Sequence, residues 1–185
     1  MGQVKEPNKV KETVILVLRD AATGKVERYI DCGPNIVTND GDRYYAQRGA
    51  SETTTYTFGT GRIIVAKSFI ATTSKTNTFG KFVLQSTVSA QTYWGRQPFA
   101  SGYPKTNDSD TDNAARTADG VTYKVVYTTA QANGPIRALG VCRPTGKTLT
   151  KGQLLSFKTL GPSQTLTKTS SLTLTVYVTH VFNGV

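Results

Sequence analysis

The aspartates near the middle of the chain have the spacing of a calcium-binding loop. They are Asp108, Asp110, Asp112 and Asp119. Such loops place oxygen ligands at alternate positions and a carboxylate at the twelfth. The match is incomplete, because Asn113 stands where the turn favours glycine and Arg116 occupies a ligand position. We therefore expect no metal, and interpret the segment as an acidic loop that is solvated or contacts basic groups of a neighbouring chain.

Other residues that could carry out catalysis are few. His180 is the single histidine, so a nucleophile that depends on histidine would have only one possible base. Two cysteines provide no zinc-binding cluster. The segment Gly59-Thr-Gly61 completes neither a P-loop nor a dinucleotide-binding pattern. Paired carboxylates could come only from the acidic loop, which lacks the apolar surroundings that raise a carboxyl pKa. We expect no enzymatic activity and no cofactor.

The chain carries a surplus of positive charge. It has 22 Lys and Arg against 12 Asp and Glu, a formal net charge of +10. This surplus favours acidic partners, and it serves solubility equally well. Aromatic residues at positions 56, 58, 93 and 94, together with Arg62 and Arg96, could stack on bases and contact phosphates. The basic residues are scattered rather than clustered, so we do not expect nucleic acid to be a partner.

The positions that could carry chemistry lie among segments with the period of β-strands. Residues 172–182 alternate between an apolar face that contains Leu174, Val176 and Val178 and a face rich in threonine. This pattern predicts a strand with one packed face, and we expect it to be the closing strand of a sheet. Residues 13–19 and 25–31 predict a hairpin, because an Asp and a Gly occur in the short connection between them.

The remaining pattern predicts one helix and more strands. Threonine and acids at 38–42 precede the basic segment 43–48 and Gly49, which is typical of a capped helix. Further strands are predicted at 53–59, 62–66, 80–85, 121–129, 136–142 and 153–160 from their β-branched and aromatic content. We predict an all-β fold, an antiparallel β-sandwich or jelly roll with one short helix and a long irregular loop. An N-terminal arm (1–12) precedes a single sandwich domain (13–185), within which 86–120 is the long loop.

The long loop contains aromatic residues that need a covering surface. Leaving these rings in water costs about 25 cal/mol per Å² of apolar area, so either the domain itself or a partner should bury them. The enrichment of Trp, Tyr and Arg in interface anchors favours a partner, and we predict that Trp94→Ala weakens assembly more than folding. The expected partner contacts are Val4, Lys5, Lys9 and Lys11 in the arm, and Tyr93, Trp94, Arg96, Phe99 and Tyr103 in the loop.

Several short motifs follow one another in an order that resembles tailed-bacteriophage virion proteins. Residues 35–41 read Asn-Ile-Val-Thr-Asn-Asp-Gly and open the predicted helix, and 102–108 read Gly-Tyr-Pro-Lys-Thr-Asn-Asp. Residues 122–128 and 132–136 follow, and Leu-Thr-Lys-Thr-Ser at 166–170 leads into the last strand. The resemblance covers most of the chain and includes no catalytic motif. It implies a virion structural component, without choosing among capsid decoration, neck and tail.

From this resemblance we expect a capsid cement or decoration protein. Its partners would be the major capsid protein or other virion subunits. A homo-oligomer is also expected, and a trimer would match the three-fold axes of a capsid. A neck, tail-completion or tail-tip protein is the first alternative, and a host-glycan-binding module in which Tyr93 and Trp94 stack on a sugar is the second. Two cysteines and no apolar run of about 20 residues suit synthesis in a reducing cytoplasm and no membrane contact. The resemblance implies that this is the host bacterial cytoplasm and that the final location is the virion.

Overall fold

A computed structural model describes residues 11–50, 61–71, 74–85, 95–144 and 152–182. In chain order the strands are β1 (Lys11–Asp20), β2 (Val26–Pro34), β3 (Ile36–Val37), β4 (Arg62–Ala66), β5 (Arg96–Pro98), β6 (Lys105–Thr106), β7 (Gly120–Tyr127), β8 (Gly134–Ile136), β9 (Ala138–Pro144), β10 (Gly152–Thr159), β11 (Leu166–Lys168) and β12 (Leu172–Val181). The helices are α1 (Asn39–Gly49) and α2 (Phe79–Gln85). The predicted arm up to residue 10 and the predicted strand at 53–59 lie outside the described residues.

The strands form two five-stranded antiparallel sheets and one two-stranded ribbon. The first sheet has the order β2-β1-β12-β7-β6, the second has the order β3-β10-β9-β4-β5, and β8 pairs with β11 in the ribbon. The predicted all-β class and the opening hairpin are confirmed. The last strand lies in the centre of its sheet, because β12 pairs with β1 along ten residues and with β7 on its other side.

The main core lies between the two sheets and follows the alternation seen in the sequence. Leu174, Val176 and Val178 of β12 point inward and are fully buried. They pack in one cluster with Val65 of β4 and Val141 of β9, which belong to the opposite sheet. Burial of apolar area on this scale is the main favourable term in folding.

The segment predicted as a strand at 80–85 is instead the helix α2, so the described part of the chain contains two helices rather than one. Phe79 and Phe82 lie three residues apart, share one helix face and are buried. They pack with Ile64 and Phe157 on the outer face of the second sheet. The strand preference of phenylalanine and valine is a weak determinant, and here packing of the two rings against the sheet outweighs it.

Two further boundaries differ from the prediction. The strand expected at 136–142 is divided at Arg137, where β8 leaves to pair with β11 and β9 stays in the second sheet. The predicted arm ended at residue 12, but Lys11 and Glu12 already belong to β1 and pair with Val181 and His180. The long loop 86–120 is less irregular than predicted, because β5 and β6 lie within it.

Helix α1 begins where the sequence predicts, and it packs closely against β10 at Gly41. Thr38 caps it by accepting a hydrogen bond from the Gly41 N–H at 3.1 Å. A Cβ atom at Gly41 would lie 2.1 Å from the carbonyl oxygen of Leu155 in β10. Glycine is therefore required where the helix crosses the sheet. This contact positions the helix so that Tyr44 and Tyr45 pack against the main core.

Candidate functional site

An open groove with aromatic walls lies beside α1. Its walls include Tyr44 and Tyr45 of the helix, Tyr123 of β7 and Phe182, which follows β12. The groove has a volume of about 420 Å³, which is enough for a few side chains of a partner. Clefts of this size with mostly apolar walls and a few polar groups are typical binding sites.

The aromatic rings hold one another in place. The Tyr45 ring meets the edges of Tyr44 and Phe182 with centroid distances of 5.1 and 5.5 Å, an arrangement that aromatic pairs prefer. The Tyr45 and Tyr123 hydroxyls form a 2.8 Å hydrogen bond. Burial raises the pKa of both tyrosines, so the hydroxyls stay neutral at physiological pH. The groove therefore presents rigid, uncharged aromatic surface.

The charged group in the groove lining is Arg48, in the last turn of α1. Its Cζ atom lies 5.6 Å from the centre of the Tyr44 ring, within the range of a cation–π contact. Burial raises the pKa of the Tyr44 hydroxyl, and the nearby Arg48 charge opposes that rise. A partner segment that carries an apolar side chain and a carboxylate would match this combination of rings and positive charge.

A buried polar cluster of Glu12, Ser156 and His180 lies behind the groove. The Ser156 hydroxyl donates a 2.8 Å hydrogen bond to Glu12 Oε1, and His180 Nδ1 lies 3.5 Å from the same oxygen. The His180 ring packs at 4.0 Å from Tyr45 and is fully buried. A catalytic serine must donate to the imidazole that takes its proton. Here the hydroxyl donates to the carboxylate, so the three groups are not arranged as a triad.

Aspartates of the acidic loop contact basic residues of their own chain. Asp110 Oδ2 lies 2.6 Å from Lys124 Nζ and accepts a 2.7 Å hydrogen bond from the Tyr177 hydroxyl. Asp112 pairs with Arg19 at 2.5 Å. With Ala115 of the same loop, Ile15, Val17 and Tyr177 form a small cluster on the outer face of the first sheet. The loop therefore covers part of the threonine-rich face of β12, where Thr175, Tyr177 and Thr179 are buried.

Asp108 and Asn113 anchor the loop from inside. The Asn113 side-chain amide donates to Asp108 at 3.0 Å and to Thr179 at 2.9 Å, and Asn113 is fully buried. Asp108 also accepts from Tyr103 at 2.9 Å and pairs with Lys105 at 3.3 Å. Burial alone would raise the pKa of Asp108 and Asp110, but the surrounding hydrogen-bond donors outweigh it, and both values are lowered.

The four aspartates do not converge as calcium ligands would. The carboxylates of Asp108, Asp110 and Asp112 contact different donors. The Asp119 side chain is exposed, and the Asp119 main-chain carbonyl accepts a hydrogen bond from the Phe182 N–H. Over the described residues there is no group of three or more His, Cys, Asp or Glu side chains that could hold a metal.

Four of the nine predicted partner contacts lie on residues that the structure describes. Phe99 packs on Tyr123 with a centroid distance of 5.3 Å, and Tyr103 is half-buried beside Asp108. For these two rings the domain itself supplies the cover. Arg96 lies on β5 and Lys11 on β1. The other predicted contacts lie outside the described residues, and they are Val4, Lys5, Lys9, Tyr93 and Trp94.

Sequence reasoning missed the groove, although part of its signal was present. Tyr44 and Tyr45 are adjacent aromatic residues in the predicted helix, which could have indicated an aromatic surface beside it. Arg48 follows Tyr44 by four residues, the spacing at which helix side chains meet. The contribution of Tyr123 and Phe182 could not be foreseen, because it depends on the pairing of β7 with β12.

The two cysteines are buried and unpaired. Cys32 belongs to the main core and Cys142 to the cluster under α2. Burial raises the pKa of each thiol to about 12. Both are therefore packed as small apolar groups.

No helix in the described part of the chain combines the length and apolar character needed to cross a membrane. Comparison of the chain with models of known protein families, with curated proteins and with solved structures found no match in any of the three.

Proposed function

We propose that this protein is a non-enzymatic structural component of a tailed-phage particle, a cement or decoration protein that binds the assembled capsid shell. The sequence motifs resemble virion proteins, and the β-sandwich and net charge of +10 suit a stable subunit that docks on acidic partners. The observation that carries the proposal is the aromatic groove with Arg48 at its side. Aromatic residues and arginine are the residue types that most often anchor protein interfaces.

The mechanism is thermodynamic. A protein that binds the closed shell, and does not bind loosened subunits, stabilises the shell by mass action, by an amount that grows with the logarithm of its free concentration relative to its Kd. A rigid groove lowers the entropic cost of this binding, and its rings are already held by mutual contacts. Copies arranged as trimers at capsid three-fold positions would each engage an equivalent segment of the shell.

Binding to particles tests this proposal. Purified protein is mixed with shells assembled without it, and the bound fraction is measured by co-sedimentation. We expect Phe182→Ala and Arg48→Ala to weaken binding about tenfold each, as loss of an interface anchor does. Arg43→Ala, on an exposed position of the same helix outside the groove lining, serves as the matched control. Equal binding by all three variants would exclude the groove as the contact.

Electron microscopy of particles distinguishes the location. Many copies spread over the shell support a decoration protein. A single ring of copies at the portal vertex or tail would instead identify the protein as a neck or tail component. Binding to host glycans that is lost in Trp94→Ala, without any binding to shells, would favour the sugar-binding alternative.

A further inference from the structure

A second concave site lies at the far end of the first sheet from the groove. It is a polar pocket of about 250 Å³ between β2 and the β8–β11 ribbon, and its lining includes Arg28, Arg137, Thr165 and Thr167. In the register of β1, Glu12 pairs with His180 near the groove, and Leu18 pairs with Arg28. Six residues of strand separate these positions, roughly 20 Å at about 3.3 Å per residue. The pocket is therefore separate from the groove.

Arg28 is held in a fixed orientation within this pocket. Its Nη1 donates to the Thr165 carbonyl at 3.0 Å and its Nη2 donates to the Ser163 carbonyl at 2.9 Å. A guanidinium has five N–H donors, so three remain after these two bonds. Fixing the side chain in advance lowers the entropy that a ligand would have to offset.

Arg137 supplies the second guanidinium. Its Cζ atom lies 5.3 Å from the centre of the Phe69 ring, and Phe69 is 48% exposed. The Arg137 side chain forms no hydrogen bond to the part of the chain that the structure describes. Among those residues no acidic side chain lines the pocket. The positive charges of Arg28 and Arg137 therefore line one pocket, and no acidic side chain among the described lining residues balances them.

We infer that this pocket binds a carboxylate of an acidic partner segment, with the exposed Phe69 ring receiving an adjacent apolar side chain. Guanidinium groups match carboxylates through paired N–H···O bonds. Guanidinium groups also bind phosphate, but the helix N-termini and nests of main-chain N–H groups that many phosphate sites use are not among the lining of this pocket, which is walled by strands and a turn. The identity of the partner as a shell subunit rests on the proposed function.

The placement has a consequence for that function. A groove at one end and a carboxylate pocket at the other give each copy two contacts, which could engage two neighbouring subunits. Two linked contacts raise the overall affinity far above that of either one. Ligation of adjacent subunits is what a cement protein must achieve.

NMR titration of the full-length, ¹⁵N-labelled protein tests the pocket, with the arginine side-chain Nε–H resonances as the readout. The probe is an N-acetylated peptide with two glutamates next to a leucine, and the glutamine version of the peptide is the control. Ionic strength is held constant with sodium chloride. We expect saturable shifts of Arg28 and Arg137 with the glutamate peptide and none with the glutamine peptide. Arg137→Gln should weaken binding about tenfold, as expected for loss of charge-assisted hydrogen bonds.

Arg43→Gln is the matched control and should leave the affinity unchanged, since Arg43 lies on α1 outside the pocket. Arg28→Lys, which keeps the charge and loses the planar fork, should weaken binding less than Arg137→Gln. Equal shifts with both peptides, or saturation by inorganic phosphate or a single-stranded oligonucleotide in place of the glutamate peptide, would overturn the inference. Peptide binding by a protein that microscopy places away from the shell would refute the proposed function and leave the carboxylate site intact.

Discussion

Replacement of Asp110 by asparagine tests whether the acidic loop is held by charge. Asp110 Oδ2 lies 2.6 Å from Lys124 Nζ and accepts a 2.7 Å hydrogen bond from the Tyr177 hydroxyl. Hydrogen bonds to charged groups contribute about 1.5–3 kcal/mol when buried, and exposed ion pairs contribute about 0.2–1 kcal/mol. The Asp110 and Lys124 side chains are each 21% exposed, so the ion pair falls between these limits.

We expect Asp110→Asn to lower the free energy of unfolding by about 2 kcal/mol at pH 7. For a chain of this size that corresponds to a melting temperature lower by roughly 4–8 °C. Urea denaturation followed by circular dichroism measures the change. Asp119→Asn is the matched control, because the Asp119 carboxylate is exposed and has no ion-pair partner among the described residues. Its free energy of unfolding should change by less than about 0.5 kcal/mol.

The effect should depend on pH in a defined direction. The pKa of Asp110 is lowered in the folded protein from its ordinary value of 3.8. The stabilisation from this group is therefore fully present above about pH 5 and is lost as the pH falls through the lowered pKa. The difference between wild type and Asp110→Asn should shrink between pH 5 and pH 2. A variant as stable as Asp119→Asn at pH 7, or a difference that stays constant down to pH 2, would refute the reasoning.

Three further predictions concern the glycine, the second helix and the thiols. Gly41→Ala should destabilise the protein by about 1–3 kcal/mol through overpacking, because the new Cβ would lie 2.1 Å from the Leu155 carbonyl oxygen. Gly49→Ala is the control and should leave the stability unchanged, since open space surrounds Gly49. Equal urea midpoints for the two variants would contradict the prediction. Phe82→Ala should lower the free energy of unfolding, measured by urea denaturation, by about 3–5 kcal/mol, since the ring is fully buried. A decrease below about 1 kcal/mol would mean that α2 does not cover the second sheet. Cys32 and Cys142 should react with an aromatic disulfide reagent at pH 8 only after denaturation, because burial raises each thiol pKa to about 12; rapid reaction of the folded protein would show that the thiols are accessible.

The location of the longer strands and the start of the first helix could be predicted because the information is local. Strand alternation at 172–182 and the threonine cap at Thr38 depend on residues within a few positions of each other. The same reasoning failed at α2, where phenylalanine and valine favour a strand and packing against the outer face of the second sheet favours the helix. It also gave no reason for a glycine at position 41 of the predicted helix, where the approach to β10 makes glycine necessary.

The sites depended on contacts between distant parts of the chain. Tyr45 and Phe182 are more than a hundred residues apart and meet because β12 lies in the centre of its sheet. Asp110 and Asp112 predicted an acidic loop, but their spacing carried no information about Lys124 and Arg19, which pair with them. Side-chain period and caps are set by neighbouring residues, so the sequence alone determined the β class and the positions of the longer strands. Which faces were covered, and which grooves stayed open, was decided by long-range packing that no short stretch encodes.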